Sequence, residues 1–413
     1  MINIIQKAAP LAVAFGHRFE TIGFDINIER IKQLKKSIDV TNEVTAEEIS
    51  EAGKINFSHN EKSLADCNVY VITVPTPINK HKEPDLSFLE KATMLIAKYL
   101  KNDDLVIYES TVYPGVTEDF CGKIISTETG LEVNKDISLG YSPERINPGD
   151  KDKRLKDITK VVSASNNEAL KVMEHLYGSI IEAGIYSAES IKTAEAAKVI
   201  ENTQRDVNIG LINEFSKIFQ SIGVDTHSVL NAASTKWNFI KFQPGLVGGH
   251  CIGVDPFYLA HVAKKNNVDP RIILSARDIN DGMASHSAHL LNANLLKKNI
   301  EKAKILIKGA TFKENCPDFR NTKVIDLYNS LRDLGHAVQL TDPHVDVDLF
   351  EKEYGITINN QIHIQKYDAV VLAVPHKEYI NNNISFFYNL MNEGGIFFDL
   401  KSVFPSDTGS LRL

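Results

Sequence analysis

Residues 68–109 read NVYVITVPTPINKHKEPDLSFLEKATMLIAKYLKNDDLVIYE. An apolar run, Asn68–Val74, leads through a turn rich in proline and charge into an amphipathic stretch, and a second apolar run, Leu105–Glu109, follows. In the middle stretch, Leu86–Leu100, the residues Leu89, Met94, Ile96 and Leu100 are expected to share the buried side of a helix. Two apolar runs joined by a helix form the βαβ unit of a parallel sheet, because parallel neighbours need a long crossover where antiparallel ones need only a tight turn.

The scheme extends in both directions. Thr21–Asp25 (TIGFD) and Ile137–Tyr141 (ISLGY) are further strand candidates in the first half. In the last third, Ala303–Ile307 (AKILI), Ala337–Thr341 (AVQLT), Ala369–Val374 (AVVLAV) and Ile396–Leu400 (IFFDL) repeat it, and the helix VIDLYNSLRDLG stops at Gly335. Between these halves, Ser190–Ile222 contains no proline and one glycine, Gly210, which predicts a long connecting spine suited to pairing with a second chain. The expected fold is therefore α/β, with two Rossmann-like doubly wound domains joined by a long central helix and a helical dimerisation segment. The expected boundaries are 1–189, 190–295 and 296–413.

Composition narrows the function. The 413 residues are 43% hydrophobic and 24% charged, enough for a buried core. Lys and Arg number 46 against 53 Asp and Glu, a net charge of −7, which argues against a nucleic-acid partner. No apolar run reaches the roughly 18–20 residues that span a bilayer, and the apolar stretch near the N-terminus reads as part of a domain. Cys67, Cys121, Cys251 and Cys316 stand far apart with no CxxC pair, so no metal site and no disulfide framework is expected. A reducing, cytoplasmic setting follows, and a single reactive thiol becomes worth seeking.

The segment 244–256, PGLVGGHCIGVDP, sets glycines 245, 248, 249 and 253 around Cys251, with Asp255 four positions on. A helix beginning near Asp255 places the thiol at a positive helix end, which favours the thiolate; a buried cysteine in a glycine-rich turn is the plainer reading. Lys198 and Asn202 are one turn apart on the spine, either as a pair of oxyanion donors or as an ordinary solvated face. Glu144, in SPERINPG (142–149), follows ISLGY, where α/β proteins bind ligands, and is placed to act as a general base or hold a water. VPTPI (74–78) and ESTVYPGVT (109–117) follow strands on the same rim. Asp25 ends a second strand, the position from which a carboxylate binds the ribose of NAD, but no G-x-G-x-x-G turn precedes it.

In order along the chain, GFDIN, VPTPI, ESTVYPGVT, SPERINPGD, AEAAKVIENTQRDVN, GGHCIGVDP and KGATFKENCPDFRNTK resemble the UDP-glucose/GDP-mannose dehydrogenase family. SPERINPGD and PGLVGGHCIGVDP look most like its branch of UDP-N-acetyl-glucosamine and -galactosamine 6-dehydrogenases, which make capsule or O-antigen building blocks. The resemblance implies an N-terminal NAD domain, a helical dimerisation segment, a C-terminal UDP-sugar domain and a homodimer or higher homo-oligomer. It implies that Cys251 forms a thiohemiacetal and then a thioester with the sugar, that Lys198 and Asn202 stabilise the oxyanion, that Glu144 is the acid/base, that Asp255 supports water and cysteine, and that Thr111 stands beside the reactive centre. NAD contacts would come from Asp25, Arg30, Pro75, Thr76, Thr111 and Arg320. The UDP-N-acetylhexosamine would meet Glu144, Arg145, Lys198, Asn202, Lys241, Gly248, Phe312 and Lys313.

One stretch departs from the family pattern. Where it places a turn of the form GLGYVGLP, Gln6-Lys7-Ala8-Ala9 replaces the glycines, although Pro10 and LAVAFG match. Added Cβ atoms where pyrophosphate must touch backbone predict weakened NAD binding, and with it an alternative reading as a silent nucleotide-sugar-binding homologue. A 2-hydroxy-acid or 6-phosphogluconate-type dehydrogenase would share the architecture without calling for a GGHC nucleophile.

Overall fold

The computed structural model describes residues 2–5 (backbone), 9–41, 43–146, 154–249, 251–360 and 366–413. Of the replaced glycine turn, residues 6–9, residues 6–8 lie outside the described residues and Ala9 opens the helix Ala9–Gly16; the end of SPERINPGD from residue 147 also lies outside them. The chain divides into two compact units, one of Met1–Glu201 with Phe257–Val268 and one of Asn202–Pro256 with Asp269–Leu413.

The first unit is built on eight strands: β1 (Ile2–Ile5), β2 (Thr21–Phe24), β3 (Ile55–Ser58), β4 (Val69–Ile72), β5 (Leu105–Tyr108), β6 (Ser138–Tyr141), β7 (Lys160–Ala164) and β8 (Ile185–Ser187). Their order in the sheet is β3-β2-β1-β4-β5-β6-β7-β8, and every pairing is parallel except β6 with β7. The order 3-2-1-4-5-6 is that of dinucleotide-binding sheets. Strands β4 and β5 are buried at every residue, which is why they are apolar throughout instead of alternating. The helix of the opening βαβ unit runs Ser87–Ala97. It buries Leu89 and Ile96, but Met94 is 42% exposed, a correction to the expected face. Five residues beyond Leu89, at about 100° each, Met94 points roughly 140° away.

The second unit carries four parallel strands, β9 (Lys304–Lys308), β10 (Ala337–Thr341), β11 (Tyr367–Leu372) and β12 (Met391–Asp399), in the order β10-β9-β11-β12. After β9 the chain crosses to one side of the sheet and after β11 to the other. A crevice therefore opens at the carboxyl ends of these two neighbours. The helix Arg271–Leu296 covers this sheet with a buried face of Ala284, Ala288, Leu291 and Leu295.

The expected spine is one helix of 31 residues, Ile191–Ser221. Its single glycine has a packing reason: a Cβ on Gly210 would lie 3.0 Å from the Cβ and 3.1 Å from the carbonyl oxygen of Ala276. Two helix backbones meet closely there, and side-chain volume would force them apart. Gly210→Leu is accordingly expected to cost about 1–3 kcal/mol through overpacking. An unchanged melting temperature for that variant would contradict the close crossing.

Candidate active site

In the first unit, the loops after β4, β5 and β6 converge on the carboxyl edge of the sheet, and each is tied down by backbone-directed hydrogen bonds. The Thr76 hydroxyl donates to the Thr111 carbonyl at 2.6 Å, and the Ser110 hydroxyl to the Val74 carbonyl at 2.7 Å. The Tyr258 hydroxyl donates to the Thr76 carbonyl at 2.7 Å. Pro75, Thr76 and Thr111, expected apart in sequence, thus share one rim. Glu195 on the spine helix holds the same rim: its buried carboxylate accepts the backbone N–H groups of Gly115 at 2.5 Å and Thr117 at 2.8 Å. Burial pushes its carboxyl up to about 7, against the pull of those N–H groups.

Glu144 is partly exposed and accepts the Ile146 N–H at 2.6 Å. Arg145 is engaged locally, donating to the Thr159 carbonyl at 3.0 Å and pairing with Glu201 at 2.8 Å. Lys198, only 8% exposed, has no ion pair among the described residues. Asp25 stands at the carboxyl end of β2 with its Oδ1 on the Asn27 N–H at 2.8 Å. Arg30 closes on Asp39 at 2.6 Å instead of extending outward. Burial opposes ionisation of Asp39, but hydrogen bonds from Thr41, Arg30 and Val44 outweigh it and hold the carboxyl below its usual value. A strand-end carboxylate such as Asp25 on a sheet of this order fits a dinucleotide.

In the second unit, Cys251 lies in a turn leading into the helix Asp255–Lys265, and its carbonyl accepts the N–H groups of Val254 at 3.1 Å and Asp255 at 2.9 Å. All four cysteines are described, and Cys251 alone is exposed. Burial pushes the Cys121 thiol up to about 12 and raises that of Cys316. The accessible thiol is therefore the one in the glycine-rich loop. Asn202 donates its side-chain amide to the buried Asp255 at 2.6 Å. Asn213 grips the other end of the loop twice, donating to the Gly245 carbonyl at 3.1 Å and accepting the Gly245 N–H at 2.8 Å.

Gly248 presses against the loop that follows β9: a Cβ there would sit 2.7 Å from the Asn321 carbonyl oxygen. Gly248, Phe312 and Lys313 line one open cavity at the ends of β9 and β11, together with Lys323 and Lys401. Lys313 and Lys401 bring positive charge into the crevice beside Glu314 and Lys323, the latter already paired with Asp281 at 3.2 Å and Asp326 at 2.9 Å; the remaining positive charge suits a phosphate-bearing ligand. Lys241 is exposed and Arg320 pairs with Asp318 at 2.5 Å; neither lines this cavity. Residue-by-residue reading of the sequence missed Glu195, Asn213, Lys323 and Lys401. A signal existed for Asn213, which follows Asn202 by 213 − 202 = 11 positions, about three turns along the same helix face.

A dinucleotide-type sheet, a second doubly wound domain and an accessible thiol in a glycine-rich loop are the parts expected of a dehydrogenase with two nucleotide-binding domains. The comparisons agree. The UDP-glucose/GDP-mannose dehydrogenase family matches through its NAD binding domain over residues 8–181, its central domain over 192–282 and its UDP binding domain over 306–406. The chain is 50% identical to a UDP-N-acetyl-D-glucosamine 6-dehydrogenase of Pseudomonas aeruginosa, covering 100% of this chain and 98% of the relative. It is 47% identical to Protein CapL of Staphylococcus aureus, covering 98% and 96%. A solved UDP-D-ManNAc dehydrogenase from Pyrococcus horikoshii superposes with a TM-score of 0.89 at 29% identity, over 100% of this chain and 98% of the other.

The chain belongs to the UDP-glucose/GDP-mannose dehydrogenase family. It is a nucleotide-sugar dehydrogenase, and its cofactor is NAD.

Because Glu195 satisfies two N–H groups of the loop beyond Thr111, Glu195→Ala is expected to cost about 1–3 kcal/mol per orphaned N–H. Hydrogen exchange at Gly115 and Thr117 should accelerate by at least an order of magnitude. Unchanged protection there would contradict the anchoring role.

Proposed function

We propose that this protein oxidises the 6-hydroxymethyl group of a UDP-N-acetylhexosamine to the carboxylate, supplying a uronate for surface polysaccharide. The reading is carried by Cys251, the exposed thiol, in a loop anchored at both ends and pressed against a lysine-lined crevice. NAD supplies the hydride acceptor, so that RCH2OH + 2 NAD+ + H2O gives RCOO− + 2 NADH + 3 H+.

This chain's residues do the rest. The Cys251 thiolate adds to the aldehyde carbon, forming a C–S bond and a thiohemiacetal. Loss of hydride from that carbon gives the thioester, which water cleaves to acid and thiol. A covalent intermediate keeps the half-oxidised sugar in place while the spent cofactor leaves. Lys198 and the second amide hydrogen of Asn202 stabilise the oxyanion, each such donor being worth roughly 10²–10³ in rate. Asp255 fixes the Asn202 amide and supports the thiol and water, Glu144 takes or returns the proton, and Thr111 stands beside the reacting carbon. Lys313, Phe312 and Gly248 seat the nucleotide sugar. Asp25 holds the ribose and disfavours a 2′-phosphate. Arg30, Arg145, Arg320 and Lys241 are secondary contacts at most in this account, since the first three are engaged elsewhere and Lys241 lies off the cavity.

The alternative of a silent nucleotide-sugar binder is not favoured, since the relatives named as dehydrogenases match the chain end to end. Among the described residues no helix is long and apolar enough to cross a membrane. A homodimer is proposed on the spine, where Leu211 and Ile218 are exposed on the helix and Ile222 is exposed directly after its last residue. Light scattering should return twice the chain mass, and the chain mass alone would contradict the dimer.

Incubation with UDP-N-acetylglucosamine should yield about two NADH per uronate, and Cys251→Ala should lower uronate formation by at least about 10³-fold. A Cys251→Ala enzyme that forms acid at the parent rate would overturn the mechanism. Calorimetry should show NAD binding that tightens when glycines are restored at residues 6–9. Tight binding by the parent chain would remove the expected weakness.

A further inference from the structure

Behind the rim loops of the first unit lies a charged cluster with no part in the scheme above. Lys160 opens β7 and is 3% exposed, Glu109 directly follows β5 and is 2% exposed, and Tyr177, on the helix Asn167–Gly178, is fully buried. The Lys160 ammonium donates to Glu109 Oε2 at 3.1 Å and to the carbonyl of Pro143 at 3.2 Å. It also lies 5.2 Å from the centre of the Tyr177 ring. The Tyr177 hydroxyl donates to the other oxygen, Oε1, of Glu109.

A buried ion pair is a poor device for stability alone, because desolvating the two charges costs about as much as their attraction returns, and apolar side chains of similar volume serve as well or better. What distinguishes this pair is where it reaches. Pro143 immediately precedes Glu144, and Glu109 stands two residues before Thr111. One ammonium therefore ties together the two loops that carry the proposed acid/base and the proposed reactive-centre threonine. The neighbouring contacts point the same way: the Ser142 hydroxyl donates to the Val161 carbonyl at 2.8 Å, and Arg145 to the Thr159 carbonyl at 3.0 Å. Loop residues 142–145 are thus pinned to the start of β7 on either side of Glu144.

We propose that Lys160, held by Glu109 and Tyr177, is a positioning residue that fixes the backbone before Glu144 and couples it to the Thr111 loop. The proposal rests on the acid/base reading of Glu144. Lys160 touches no reactant; it acts through the Pro143 carbonyl, and a shift of about 1 Å at a catalytic group can cost 10²-fold in rate.

The test uses the full chain with UDP-N-acetylglucosamine and NAD, comparing Lys160→Met, Lys160→Arg, Glu144→Gln and the Lys160→Met/Glu144→Gln double variant. Lys160→Met should lower kcat by about 10–100-fold with both KM values within about threefold of the parent, and Lys160→Arg, which keeps the charge and the donors, should recover most of the loss. In the Glu144→Gln background Lys160→Met should cost less than about threefold more, because the group it positions is already gone. A kcat within about threefold of the parent in Lys160→Met, or losses that multiply in the double variant, would overturn the proposal. Full activity in Glu144→Gln would overturn the acid/base reading, and with it this proposal, whatever Lys160→Met does. If Lys160→Met does not fold, Glu109→Gln is measured instead: a kcat loss above about threefold at unchanged KM supports the proposal, and parent-like kcat overturns it.

Discussion

The architecture of the site depends on one helix serving as a ruler for one loop. Asn202 and Asn213, on a single face of the helix Ile191–Ser221, hold the ends of the segment that carries Cys251: Asn202 through Asp255, Asn213 through both backbone groups of Gly245. A glycine-rich loop left to itself samples many backbone states and carries a large ordering cost. Meeting that cost once, on folding, leaves the thiol placed before any ligand arrives. The grip is itself supported from below, since Asn213 donates to Asn280 and Asn280 donates to Asp206, which in turn pairs with the buried Arg277.

The same logic operates at the rim of the eight-stranded sheet with different chemistry. There the loops are fastened by hydroxyls and one carboxylate that address backbone groups: Thr76, Ser110 and Ser142 donate to carbonyls, and Glu195 accepts two N–H groups. Backbone-directed bonds fix the course of a loop while leaving its functional side chains unspent. Glu195 and Lys198 are close neighbours on the helix with divided duties, the acid turned to the Gly115 loop and the base without an ion pair among the described residues.

Much of this fold is legible in the amino-acid sequence. Apolar runs such as VYVI and LVIY announce parallel strands because both faces of the sheet are covered, and the proline-free stretch from Ser190 announces a long helix. Strands that break the apolar pattern are hidden. β3 reads INFS at the sheet edge, and β7 opens with a lysine that is buried only because Glu109 and Pro143 receive it. The helix Arg271–Leu296 escapes for a related reason: its buried face mixes alanines with Arg277, Asn280 and Ser287, small and polar residues that leave a weak apolar periodicity. At the site, motifs mark the residues proposed to meet reactants, whereas those that brace the loops, Asn213 and Lys160 among them, depend on partners far away in sequence.

The covalent role of Cys251 is tested most directly by mass spectrometry of the protein quenched during turnover of UDP-N-acetylglucosamine and NAD. The account predicts a sugar-nucleotide adduct on the peptide containing Cys251, accumulating when thioester hydrolysis is slowed and absent without NAD. A protein that forms uronate with that peptide unmodified throughout turnover would contradict it.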